Sequence, residues 1–130
     1  MIDSYSFGKI VIDGKVFTSD VIIYPDKVNN SWWRESGHLL QKEDLTEIIN
    51  YNPEVLIVGT GDNGLMKIPN DTKQFLESKK IKLISEETKK ACDIYNKLKG
   101  KKGLLQRFIL PIKQSMFFFK HLFILFIFYL

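Results

Sequence analysis

Glycines 59, 61 and 64 stand in the order G-x-G-x-x-G directly after the continuous apolar run Val55-Leu-Ile-Val58. Such a turn binds a dinucleotide when strand, glycines and helix N-terminus are continuous, so that backbone N–H groups and the helix dipole meet the pyrophosphate. Glu86, 22 residues past Gly64, even stands where a ribose-binding acid would. The helix is what breaks the pattern. Leu65-Met-Lys-Ile-Pro69 puts a proline where the helix interior should be, and Asn70-Asp71 reads as a fresh start. A tight turn needing positive φ explains Gly59, Gly61 and Gly64 as well as a ligand does, with Asp62 stabilising it. The expectation is no bound cofactor, with a nucleotide- or dinucleotide-dependent enzyme as the alternative.

Trp32, Trp33, Arg34, Glu35 and His38 form a second cluster. Two adjacent tryptophans on an extended segment cannot both face inward, so one is expected to face solvent or a partner, with Arg34 able to bind an acidic group. The plainer reading is a loop pinned by one indole. His38 could exchange protons with Asp44 or Glu35, but no serine, cysteine or metal-ligand set stands at diagnostic spacing, and a structural histidine is the simpler account. Cys92, the single cysteine, lies beside the apolar positions Ala91 and Tyr95 and reads as a small buried hydrophobe. No catalytic or metal-binding residue is assigned.

The elements that must position these residues follow from the pattern. Residues 5–12 and 15–24 are β-rich runs separated by Asp13-Gly14, a hairpin dipeptide. A helix is predicted over about 42–50 with Leu45, Ile48 and Ile49 on its apolar face, ended by Pro53. Val55–Val58 is the run expected of a central strand covered on both faces. Leu65–Ile68 reads as extended, Pro69 with Asn70 and Asp71 as a helix start, and Ile81–Ile84 as a strand. Ser85 could cap a last helix carrying Ala91, Ile94, Tyr95 and Leu98, with Gly100 as its stop. This order predicts one three-layer α/β sandwich with a mixed sheet.

The chain has 130 residues, enough for one domain with a real core. One cysteine excludes an internal disulfide, and Met1-Ile-Asp-Ser-Tyr-Ser6 lacks the basic and apolar regions of a signal peptide, so a cytoplasmic setting is expected. The net charge of +4 is misleading as a sign of nucleic-acid binding. Three of those charges are Arg107, Lys113 and Lys120, which leaves +1 for residues 1–102. Lys79, Lys80 and Lys82 read as a solvated edge.

Several blocks in order resemble the Mth-938-domain family: Ser4-Tyr-Ser-Phe-Gly-Lys-Ile-Val-Ile-Asp-Gly-Lys-Val-Phe17, then Trp33-Arg34 with Gly37-His38-Leu39 and Asp44-Leu45, then Pro53-Glu-Val-Leu-Ile-Val-Gly-Thr-Gly61. Ala91, Tyr95, Asn96 and the Lys-Gly-Lys-Lys stretch continue the resemblance, which covers about residues 2–102. It implies a three-layer α/β domain with a mixed sheet and no established catalytic residue. Its implied relatives include an adipogenesis-associated cytoplasmic protein and a respiratory complex I assembly factor. Arg34, His38, Gly59, Gly61 and Gly64 fall on the matching motif positions and mark a candidate cleft or partner surface, completed by Trp32, Trp33 and Asp62.

Residues 103–130 depart from the family, whose members end on a strand resembling Val-Ala-Ala-Leu-His-Leu-Thr-Cys. This segment has no acidic residue, and seven of the ten phenylalanines lie in 104–130. Only nine residues follow His121, against the roughly 20 apolar residues a spanning helix needs, so no membrane span is expected. Back-translating Gly103–Lys113 with chosen synonymous codons and reading one frame over yields Val-Ile-Ala-Ala-Phe-His-Phe-Thr-Tyr and a stop. Residues 103–130 are therefore expected to arise from a frameshift or a sequencing error; if the chain is made as written, Leu104–Ile112 could substitute as a strand. The whole is expected to be a non-enzymatic binding or assembly module, linked through the resemblance to respiratory-complex assembly, with a protein partner or a second copy and no nucleic acid.

Overall fold

A computed structural model describes residues 1–25, 27–32, 34, 38–109 and 124–127. The chain opens with an antiparallel meander, β1 (Ile2–Ser6), β2 (Lys9–Ile12) and β3 (Lys15–Phe17). The predicted Asp13-Gly14 hairpin is present: both residues have positive φ, 48° and 80°, as a two-residue type I′ turn requires. The run expected over 5–12 is itself folded in two. It breaks at Phe7-Gly8, where Gly8 has φ 78°, and Tyr5 comes to lie opposite Ile10. The second run likewise ends at Phe17, and Ile22–Ile23 (β4) pairs instead with Val28–Asn29 (β5) in a separate two-stranded sheet.

A 3-10 turn over Lys42–Leu45 leads into α1 (Thr46–Asn50), with Leu45 and Ile48 fully buried. Then comes β6 (Val55–Gly59), followed by α2 (Asn70–Ser78), β7 (Lys82–Glu86), α3 (Thr88–Ile109) and β8 (Ile124–Ile127). The central sheet is parallel, in the order β7-β6-β8. As the apolar run predicts, β6 is the middle strand and separates two cores. Ile57 faces Ile10, Ile12, Ala91 and Tyr95, between the meander and α3. Leu56 and Val58 face Leu40, Leu45, Ile48, Met66 and Leu76, on the side of α1 and α2. The layering is the three-layer α/β arrangement anticipated, but the expected mixing of strand directions is divided among sheets: the central one is parallel, and the antiparallel pairings lie in the meander and in β4-β5.

Three local expectations are corrected. Ser85 does not cap α3: it lies inside β7 opposite Val58, and the ladder holds through Glu86, so the helix starts at Thr88. Gly100 does not stop α3, which runs on to Ile109. A helix-interior glycine costs only about 1 kcal/mol, and the lysines and leucines on either side are good helix formers. Leu104–Ile109 is therefore helical, and the strand that joins β6 on its second side is β8. Residues 110–112 of the expected substitute strand, and most of the apolar end, lie outside the described residues.

Candidate functional site

The site is built where the carboxyl ends of β6 and β7 meet the start of α3, the end of a parallel sheet at which open α/β folds bind ligands. Beyond Gly59, the N–H and hydroxyl of Thr60 both donate to the carbonyl of Glu86, at 2.9 and 3.0 Å, and lock the two strand ends together. Gly61 follows with φ 104°, a conformation suited to glycine. Its N–H donates to the Thr88 hydroxyl at 2.8 Å, and its carbonyl accepts from the Thr88 N–H at 3.1 Å. Gly64, with φ 67°, donates its N–H to the Gly61 carbonyl at 3.3 Å, and Met66 donates to the Thr60 carbonyl at 3.0 Å. The N–H groups of Gly61 and Gly64, which a phosphate would need, are thus engaged within the protein. The helix that follows the loop begins only at Asn70, six residues beyond Gly64.

Asp62 and Asn63 are left at the exposed tip of this loop, and Leu65 beside them is 55% exposed. The Tyr5 hydroxyl reaches Asp62 Oδ1 at 3.5 Å, which sets the turn after β1 against the loop. Burial pushes the Tyr5 pKa up, and the Asp62 charge adds to the rise. Phe7, on that turn, is 76% exposed.

The second cluster joins the first through the strip that follows the glycine loop. The Arg34 guanidinium bonds to Asp20 Oδ2 through Nε at 3.1 Å and Nη2 at 2.8 Å, and its Nη1 lies 3.1 Å from Met66 Sδ. The Arg34 side chain is only 6% exposed, so the acidic group it binds is an internal one. Trp32 stacks near it, with the guanidinium carbon 5.7 Å from the ring, and its indole N–H donates to the Asp44 carbonyl at 3.2 Å. Trp32 is the indole that pins the loop, while Trp33 lies outside the described residues. His38 is exposed, and its carbonyl accepts from the Lys67 N–H at 2.8 Å. Leu40 donates back to the Lys67 carbonyl at 2.9 Å. The Asp44 carboxylate accepts from the Gln41 N–H at 2.9 Å, a role in starting the 3-10 turn.

Thr88 and Tyr5 are central to this geometry and were not singled out from sequence. Thr88 could have been found as the hydroxyl residue nearest the true start of the last helix. Tyr5 could not, because its partner Asp62 is 57 residues away. Among the described residues, no group of three or more His, Cys, Asp or Glu side chains converges on a metal-sized site. No helix among them is long and apolar enough to cross a membrane.

A parallel core strand whose glycine turn is tied to the last helix, over an N-terminal meander, defines an Mth-938-like α/β domain. The chain belongs to the family described as "Protein of unknown function (DUF498/DUF598)", which it matches over residues 2–108. It is similar to the conserved hypothetical protein PH1505 from Pyrococcus horikoshii OT3, at 26% identity and a TM-score of 0.70, over 99% of this chain and 97% of that one. It shares its fold with the structure named MT938, at 18% identity and a TM-score of 0.63, over 99% and 96% of the two chains. A protein described as an outer membrane protein from Bartonella henselae has the same fold, at 18% identity and a TM-score of 0.71, over 98% and 92%.

Proposed function

We propose that the domain is a non-enzymatic binding or assembly module acting in the cytoplasm, and that its contact surface is centred on the glycine loop and the adjoining 32–38 segment. The observation that carries this reading is the contrast within the loop. The Gly61 and Gly64 N–H groups are bonded internally, while Asp62, Asn63 and Leu65 are exposed, as is Phe7 two residues along from Tyr5, whose hydroxyl reaches Asp62. Two exposed large apolar side chains and an exposed carboxylate suit a protein surface, where apolar anchors sit within a polar rim. Arg34, Trp32, Gly59, Gly61 and Gly64 then act from below by holding the strip in shape, and His38 and Asp62 offer the polar contacts. The link to respiratory-complex assembly rests on the family resemblance alone.

Co-purification of the full chain from its native cell tests the reading, with Leu65→Asp and Asp62→Lys as the comparison. A partner recovered with the wild type and lost with both variants is the expected result. Titration of the same chain with NAD, FAD and ATP provides the opposing outcome: tight binding that Gly61→Val abolishes would replace the module with a nucleotide-dependent enzyme.

A further inference from the structure

Lys82-Leu83-Ile84-Ser85-Glu86 is a strand that reads as its own electrostatic complement when turned round. It is also the end strand of the central sheet: β6 pairs one side of β7, and among the described residues no strand pairs the other. The Lys82 N–H donates to the Glu54 carbonyl at 2.8 Å, and the Glu86 carbonyl accepts from Thr60, so the backbone groups of the even-numbered residues aim at β6. By the strand's two-residue alternation, the N–H and C=O groups of Leu83 and Ser85 aim away from the sheet.

We propose that the chain forms a two-fold dimer through this edge, with β7 antiparallel to β7 of a second copy and Ile84 on the axis. In that register Leu83 lies opposite Ser85 of the other copy, and the two outward-aimed residues of each strand exchange N–H and C=O bonds as an antiparallel ladder requires. Lys82 and Glu86 then oppose each other twice, once on either side of the axis. Both are non-hydrogen-bonded positions, where facing side chains stand closest. A lysine on a sheet edge ordinarily deters pairing. Here it deters strands that lack a carboxylate four residues along and accepts a second copy, which has one.

The ground beside the strand fits the same occupant. A groove of about 410 Å³ runs between β7 and α2, lined by Lys73, Glu77, Ile81, Leu83 and Ser85. Lys73 and Glu77 stand one helical turn apart on α2 and give the groove one charge of each sign. The joined sheet would run unbroken through both copies.

Sedimentation velocity and native mass spectrometry on the full chain test this with two charge reversals. Wild type is expected to dimerise. Lys82→Glu and Glu86→Lys each place like charges in both facing pairs, so each variant alone should bind itself at least roughly tenfold more weakly. Mixing the two variants pairs each reversed residue with its complement and should restore a one-to-one heterodimer. Since a misfolded chain would not be rescued by mixing, restoration separates a broken contact from a broken fold. A monomeric wild type, a dimer indifferent to both reversals, or variants that stay apart when mixed would each overturn the proposal.

Discussion

Gly61 and Thr88 exchange two hydrogen bonds, each donating its N–H to an oxygen of the other, at 2.8 and 3.1 Å. The loop after the central strand and the first residue of α3 therefore hold each other, and the loop's shape depends on a hydroxyl from 27 residues away.

Thr88 is fully buried, so Thr88→Val should leave the Gly61 N–H without its acceptor at nearly unchanged volume. A loss of about 1–3 kcal/mol is expected in chemical denaturation, with Thr88→Ser retaining most of the wild-type stability. Equal stabilities for the valine and serine variants would show that the bond is immaterial.

Asp20→Ala should remove a principal counter-charge from the buried Arg34 guanidinium. Breaking one side of a buried pair costs roughly 3–5 kcal/mol, and the low end applies because the Asp20 side chain is 19% exposed. The double variant Asp20→Ala/Arg34→Met should recover part of this loss, read as a positive coupling in a double-mutant cycle.

Alkali should unfold the domain through its buried acids. Burial, with a smaller contribution from Asp93, pushes the Cys92 thiol from 9.0 to about 12, and burial beside the Glu47 carboxylate raises Tyr24. Both groups prefer their neutral form in the fold. The stability they contribute is complete below their unfolded pKa values and is lost as pH rises from about 9 toward 12. Circular dichroism across that range should report the loss, and alkylation of Cys92 at pH 8 should be slow until denaturant is added. Tyr24→Phe removes one of these two buried acids and should flatten the alkaline limb.

Lys80 ends α2 with φ 60°, while its N–H bonds to the Glu77 carbonyl and that of Ile81 to the Leu76 carbonyl. This is the helix-ending geometry glycine favours, so Lys80→Gly should raise stability by up to about 1 kcal/mol, seen as a higher melting temperature.

The proposed frameshift origin of residues 103–130 is a statement about the gene. A single-base change near the Gly103 codon is expected to restore Val-Ile-Ala-Ala-Phe-His-Phe-Thr-Tyr and a stop. If the nucleotide sequence offers no such change, the segment is native to the chain.

What was legible in the sequence was local. The Asp13-Gly14 turn shows because two adjacent residues must both take positive φ, and β6 shows because a strand covered on both faces has no polar side to display. The break at Phe7-Gly8 was hidden, since Tyr5 to Ile12 alternates well enough to pass for one strand. The reading of the glycine loop as a positive-φ turn, from Pro69 and the restart at Asn70, holds for Gly61 and Gly64 but not for Gly59, which ends β6 as strand without a positive φ. Its tie to Thr88, and the pairing of Arg34 with Asp20, join residues that only the completed fold brings together. Gly100 misled because a local cost of about 1 kcal/mol is easily outweighed by a long helix.

β6 is flanked by two strands that arrive at very different times. β7 begins 27 residues after Val55, whereas Ile124, which opens β8, comes 69 residues after it. At roughly 5–20 residues per second, the ribosome would leave one side of the central strand open for several seconds after the strand itself has emerged. During that interval β6 is an unpaired apolar edge. The nascent chain is then at its most vulnerable to capture by neighbours, and slowing or hastening translation between α3 and β8 should change the yield of folded protein without altering a single contact in it.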